Sequence, residues 1–473
     1  MKKKFIITIF FIFFNILLAN KLFNMAENLR ITFWDEFHWI GKTYFFDYFF
    51  LKRDKGEVWA TEDAIDQPFI VPFVYGALIY FRYKDQVNKE GDFTRFIIKR
   101  NFYQILYFTK QNYEKIKYYE KIKYTKWNVS DHDKSSSELI NKYGINFKKT
   151  IEIILFLRKF NAILLIISYF IFSFLGYLVT KSLLFSVILY ANISVNSFYA
   201  KWNIYANADG LLYFFYTIII LILTIYAKNK NRDLFYNSIY LIILSFIISI
   251  SINIKLIGLI CIIYTLIIIT IKFIEYNNKV FLLTFHFLLF ISSILIFWIL
   301  FNPSLFYGYF NISEMLNYRL NTHIEQSIIF NNSLLPTPFK ALLSIVEKIF
   351  FNKEYFHFNQ EFFFLISGLI NLLLFFFGCY LGLSYKIMKI YLTIFLINVI
   401  FFISLFKLNW DRYYLMFVPF TVFFHSYAIY RILRSFGLLR KMIERLSYKN
   451  PSKTSDSFNS LYNCKNKSQK TTN

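Results

Sequence analysis

Residues 33–39 read Phe33-Trp34-Asp35-Glu36-Phe37-His38-Trp39. Two adjacent carboxylates and a histidine stand there among large aromatic rings. Indoles at Trp34 and Trp39 would strip water from Asp35 and Glu36 and raise their pKa. His38, or the distant His323, can join such carboxylates in holding a divalent metal ion. The bland alternative is a pair of solvated loop carboxylates, and at this point both readings stand.

Other chemically able residues are spread along the chain. Arg158, Lys255 and Arg412 are cations near the starts of apolar runs. A guanidinium grips phosphate oxygens through paired hydrogen bonds; the alternative is an interfacial side chain that snorkels to water. Asp209 precedes another apolar run, where a helix N-terminus favours a carboxylate; it can also orient the first loop or help hold a divalent ion. Asp66 precedes Gln67-Pro68 and reads equally as a turn residue. His286, inside an apolar run, reads as a packed and hydrogen-bonded core residue. Phe45-Phe46-Asp47-Tyr48-Phe49-Phe50 and Phe362-Phe363-Phe364 read as interfacial aromatics.

The elements that must position these groups are membrane helices. Of 473 residues, 57% are hydrophobic and 22% aromatic. Runs of about 18 or more apolar residues read as transmembrane helices. About ten occur, at 5–23, 160–179, 183–198, 210–227, 234–251, 256–271, 280–301, 362–383, 390–406 and 413–430. The expected fold class is therefore an all-α polytopic membrane protein. Alternating segments of a membrane β-barrel are absent. Residues 1–23 read as an uncleaved signal anchor, since no small-x-small cleavage site follows the bulky core. Residues 24–158 form a long first loop, holding a short apolar run at 69–81 expected to lie as an interfacial or re-entrant helix. The same loop carries a Lys- and Tyr-rich insertion at 82–150, in which 113–118 is repeated at 119–124. Helices fill 159–302, a second loop 303–360, more helices 361–433, and a basic tail 434–473.

The net charge of +24 has two bland explanations, basic cytoplasmic loops and the Lys- and Asn-rich composition of an AT-rich genome. Loops on the cytoplasmic side are enriched in Lys and Arg, and nucleic acid is not an expected partner. With Lys2, Lys3 and Lys4 inside and ten spans, every short basic loop falls on the inner side. Asp35, Glu36, Asp66, Arg158, Asp209, Lys255, Lys407, Asp411 and Arg412 then fall at one outer face. Charges at membrane depth are costly and mark function. Cys261, Cys379 and Cys464 show neither metal-ligand nor disulfide spacing.

Taken in order, these motifs resemble integral membrane glycosyltransferases of the GT-C type, close to protein mannosyltransferases and aminoarabinose transferases (glycosyltransferase family 39-like). The resemblance rests on Asp35-Glu36 after the first span and Asp66-Gln67-Pro68 before a short apolar run. It continues with Arg158-Lys159-Phe160-Asn161-Ala162, Asp209-Gly210-Leu211-Leu212 and Lys255-Leu256-Ile257-Gly258-Leu259, and ends at Arg412-Tyr413 with Pro419. Phe69 stands where the family often has a second proline, and the 82–150 insertion is not a usual family element. The resemblance implies a GT-C fold whose long outer loop carries interfacial helices. It implies transfer of a sugar from a polyprenyl-phosphate donor to a lipid, glycan or protein acceptor. Asp35 is then the base or the acceptor anchor, with Glu36 the alternative carrier. Arg158, Lys255, Arg412, Asp66 and Asp209 hold the lipid phosphate or the sugar. A divalent metal is a possible cofactor, with His38 and His323 as weak candidate ligands, and membrane lipids are partners. The setting implied is a bacterial inner membrane with the site outside. No Walker loop, dinucleotide fingerprint or nucleophile elbow occurs. A transporter or flippase for a lipid-linked glycan, or a glycan polymerase of another fold, remain the alternatives.

Overall fold

The computed structural model describes residues 2–29, 36, 38–53, 59, 69–90, 147–229, 234–276, 280–329, 333–351, 361–405 and 408–437. Among these the chain is helical, with one isolated bridge between Leu334 and Leu408. The principal helices are α1 (Lys2–Asn28), α2 (Ile70–Glu90), α3 (Phe147–Thr180), α4 (Leu183–Ser194), α5 (Ser197–Ile204), α6 (Ala208–Lys228) and α7 (Leu234–Ile252). They continue with α8 (Ile260–Tyr276), α9 (Val280–Leu300), α10 (Ile312–Ile329), α11 (Pro338–Phe350), α12 (Glu361–Gly382), α13 (Lys386–Leu405) and α14 (Val418–Ser435).

Seven helices among the described residues are long and apolar enough to cross a membrane, or eight if α4 and α5 form one broken span. The protein is an integral multi-pass membrane protein. This count falls below the ten expected, and two differences have physical causes. The run at 183–198 is not one helix. It breaks between Ser194 and Ser197 with a 64° bend, where the Asn196 side chain caps α5 by accepting from Tyr199 N at 2.9 Å. A 12-residue α4 is only about 18 Å long, short of a hydrocarbon core about 30 Å thick. The last described helix, α14, has the length of a span but is too polar to count as one, carrying His425, Arg431 and Arg434; it is buried from Val418 to Ala428. Its polar groups are satisfied internally, as a low-dielectric interior requires. Thr421 donates to Phe417 O, Asn192 donates to Ser426 Oγ, and His425 Nε2 lies 2.5 Å from Asn371 O.

The run at 69–81 is a helix, α2, kinked at Tyr83. It buries Val71, Tyr75 and Ile79 against the bundle. The longest helix, α3, has 34 residues and so spans about 51 Å. Its apolar candidate span runs Glu152–Thr180, with Arg158 toward the N-terminal end. The ends sort accordingly. At the end opposite Arg158, Lys228 Nζ donates to Leu178 O, and Thr224 meets Tyr391 at 2.6 Å.

Helix α12 packs on α14 through Gly378. A Cβ there would lie 2.1 Å from Phe424 O, so glycine is required by the close approach of two backbones. Gly378→Ala should push α12 from α14 and cost about 1–3 kcal/mol. The measurement is the thermal unfolding midpoint in detergent, which should fall; an unchanged midpoint would mean the two helices do not touch there.

Candidate functional site

Glu36 and Arg158 form the centre of a polar network at one end of the bundle. Arg158 projects from α3 and is fully buried, as is Glu36. Nε and Nη2 donate to the two carboxylate oxygens at 2.7 and 2.6 Å, a paired fork. Nη1 donates to Ala26 O at 3.0 Å and Leu29 O at 2.8 Å. These carbonyls belong to the C-terminal end of α1, where helix carbonyls lack internal partners and the dipole is negative. The guanidinium therefore neutralises a carboxylate and closes a helix end at once. Glu36 Oε1 also accepts from Ala206 N at 2.9 Å, and the Tyr205 ring lies 5.1 Å from the guanidinium carbon. The first loop, α1, α3 and the α5–α6 turn are pinned at one point.

A second pair follows three residues on. Asn207 caps α6 by accepting from Asp209 N at 2.9 Å. Buried Asp209 accepts from Lys255 Nζ at 2.7 Å, with the Lys255 side chain 28% exposed. Lys255 stands just before a 3-10 turn, Leu256–Leu259, whose Gly258 packs on the backbone of Ser251 and Ile252. Lys255 Nζ lies 5.7 Å from the Tyr413 ring, and Arg412 lies 5.8 Å from the same ring and 4.7 Å from Trp410. Trp410 and Tyr413 are stacked with centroids 5.5 Å apart. Two cations thus flank one tyrosine, on the 3-10 turn Asp411–Met416 that precedes α14. That turn is held from below, because Asn398 Nδ2 donates to Met416 O at 3.3 Å. Tyr213 OH donates to Arg412 O at 3.4 Å.

Tyr75 and Asn161 join the two pairs. Asn161 Nδ2 donates to Tyr205 O at 2.6 Å and to Tyr75 OH at 2.8 Å, and Tyr75 OH donates to Asn207 O at 2.8 Å. Burial pushes the Tyr75 phenol well up; the Asn161 bond opposes this, and the charges of Glu36 and Asp209 add to it. Tyr75 stays a neutral donor. Asn161 Oδ1 and Asn207 Nδ2 are buried and find no partner among the described residues. Gly210 makes room here, because a Cβ would meet Asn203 O at 2.4 Å.

The structure brings Glu36, Arg158, Asp209, Lys255 and Arg412 into one network. It gives Arg158 a different job from the one expected: its ring of donors is turned onto Glu36 and two carbonyls, with no surface exposed to a ligand phosphate. Asp35, Asp66 and Lys407, and the side chains of His38 and His323, lie outside the described residues. Among described residues no three His, Cys, Asp or Glu gather to hold a metal. His286 also departs from expectation, since its Nε2 is buried and finds no partner among the described residues. Asp411, counted only among the outer charges, pairs with Lys348 of α11 at 2.8 Å. Sequence reading passed over Tyr75, Trp410 and the backbone N–H of Ala206. Only Trp410 carried a signal, as an aromatic beside Asp411 and Arg412.

No family model, no curated protein and no solved structure matches this chain.

Breaking the clamp from one side should be severe. Glu36→Ala leaves the Arg158 charge buried and unpaired, which costs about 3–5 kcal/mol. Glu27→Ala, whose pair with Lys159 is half exposed, should cost no more than about 1 kcal/mol. Chemical denaturation in detergent compares the two; equal losses would remove the clamp from its central place.

Proposed function

We propose that the protein is a membrane glycosyltransferase that moves a sugar from a polyprenyl-phosphate donor to a hydroxyl or amine acceptor. The observation that carries this reading is the run of contacts in which Arg158 and the Ala206 N–H meet Glu36, Asn207 accepts from Asp209 N, and Lys255 pairs with Asp209 beside the Tyr413 ring that Arg412 also approaches. It gathers one helix end after another around a polar patch beside an otherwise apolar bundle, where a lipid-borne substrate would meet water. Positive-inside sorting assigns that patch to the outer face of a bacterial inner membrane.

Transfer of this kind needs a base and a cationic seat for the leaving phosphate. Glu36 is committed to Arg158, so the base role falls to its neighbour Asp35. Asp35 takes the acceptor proton, the acceptor oxygen or nitrogen bonds to the anomeric carbon, and the carbon–phosphate-oxygen bond breaks. The polyprenyl phosphate leaves with those electrons. Lys255 and Arg412, flanking Tyr413, receive its negative charge. Asp209 holds Lys255 in place. Asp66, in the same first loop, is assigned to the donor or acceptor sugar. The lipid-linked-glycan transporter reading draws on the broken α4–α5 helix, since transporters use discontinuous helices near the midplane. Against it, the charges here stand at helix starts at one end.

The test supplies purified protein in detergent with labelled polyprenyl-phosphate sugar and reads release of polyprenyl phosphate. Wild type should release it and Asp35→Asn should not, at unchanged folding. Lys255→Ala and Arg412→Ala each remove a hydrogen bond to a charged group, about 1.5–3 kcal/mol, and should lower kcat/KM about 10- to 150-fold. Full release by Asp35→Asn, or transport of an intact lipid-linked glycan without release, would overturn the proposal.

A further inference from the structure

Helix α11 faces three ways. Ala341, Ser344, Ile345 and Ile349 are buried against the bundle. Lys340 and Glu347, seven residues apart and so on one face, are exposed. Phe339, Leu342 and Leu343 recur at the three- and four-residue spacing of a single stripe, yet they are 66%, 42% and 51% exposed. The stripe belongs to a well-formed helix, because Thr337 Oγ1 accepts from Lys340 N at 3.2 Å and Pro338 fills the first turn.

The contacts of α11 set its depth. Ser344 donates to Asn409 Oδ1 at 3.0 Å and meets the Tyr414 hydroxyl, beside the turn between α13 and α14. Further along, the Phe350 ring lies 5.3 Å from Phe375, and Phe375 lies 5.0 Å from Phe395. Phe375 and Phe395 stand near the middle of the apolar spans Leu365–Gly382 and Lys386–Ser404. The next residue, Phe351, packs on Gly368 of the first span, where a Cβ would run into its ring. Helix α11 therefore slants from the level of the α13–α14 turn to the middle of two spans. Those spans carry exposed apolar residues of their own, such as Leu369 and Leu373 of α12 and Ile400 of α13. An apolar stripe at the same depth meets the same solvent.

We propose that α11 is a membrane-inserted helix whose stripe of Phe339, Leu342 and Leu343 is covered by acyl chains of the bilayer. Its 13 residues reach about 20 Å, so it enters a hydrocarbon core about 30 Å thick without crossing it. Its backbone hydrogen bonds close within the helix, as contact with hydrocarbon requires. The face bearing Lys340 and Glu347 lies about 100° round the helix from the middle of the stripe and is turned to water, the sorting expected of a helix held at a membrane boundary. Lys348 pairs with Asp411 at 2.8 Å, so the same helix ties the Asp411–Met416 turn to this depth. The inference does not depend on the glycosyltransferase reading.

The experiment places a spin label at single cysteines in the full-length protein carrying Cys464→Ser, reconstituted in phosphatidylcholine nanodiscs. Cys261 and Cys379 are buried, and the parent variant measures any label they take. The labelled positions are Phe339→Cys, Leu342→Cys and Leu343→Cys on the stripe, Lys340→Cys on the charged face and Ile400→Cys on a span. All five side chains are exposed, so the substitutions spare the fold. Power saturation reads collisions with oxygen, which concentrates in hydrocarbon, and with a water-soluble nickel chelate. The oxygen-to-nickel ratio at Leu342→Cys and Leu343→Cys should match that at Ile400→Cys and exceed that at Lys340→Cys several-fold; Phe339→Cys repeats the test at a third position. Ratios on the stripe as low as at Lys340→Cys would put it in water and overturn the proposal. Labels screened from both probes would overturn it too, marking a second copy if they show dipolar broadening and another segment of this chain if they do not.

Discussion

The buried pair between Glu36 and Arg158 is the constraint from which the rest of this end of the molecule follows. Two charges taken out of water cost several kcal/mol each, and only near-ideal geometry with every remaining proton satisfied returns that cost. Here the fork onto Glu36 is complete, two helix-end carbonyls take the other donors, and a backbone N–H adds to the carboxylate. Each partner comes from a different part of the chain. Satisfying one ion pair therefore fixes the exit of α1, the first loop, the upper part of α3 and the turn into α6 relative to one another.

That fixed frame gives the softer pairs their positions. Asp209 follows directly from the pinned turn, and Lys255 reaches it across from the start of a neighbouring helix. Tyr413 and Trp410 then carry the network to Arg412. The gradient runs from fully buried at Glu36 to partly exposed at Lys255 and Arg412. Structural rigidity and access to a ligand are thus separated along one line of contacts. At the opposite end Lys228 donates to a carbonyl oxygen and Lys272 to an amide oxygen.

Sequence reading expected the charges to gather at one end, because charge is expensive in hydrocarbon. It foresaw that Glu36, Arg158, Asp209, Lys255 and Arg412 share an end, and that 69–81 is a helix lying on the bundle. It could not say who pairs with whom. Glu36 and Arg158 are 122 residues apart, and any outer arginine would have satisfied the same pattern. The pairing of Arg158 with Glu36 was consequently out of reach of the sequence. Tyr75 was hidden for another reason: a tyrosine in an apolar helix reads as an interfacial aromatic, whereas here it carries hydrogen bonds between two segments. The α4–α5 break had a local signal in Asn196-Ser197, outweighed by the apolar run around it. The burial of α14 was unreadable, since a lipid-facing span and a central one differ little in composition when both are rich in Phe and Tyr.

The account is tested most directly by a double-mutant cycle on the central pair, using Glu36→Leu, Arg158→Met and the double variant, with unfolding free energy measured in detergent. Each single change should be costly, and the double change should recover much of the loss, giving a coupling of about 2 kcal/mol or more. Additive losses, with no coupling, would contradict the claim that this ion pair ties the first loop to the bundle.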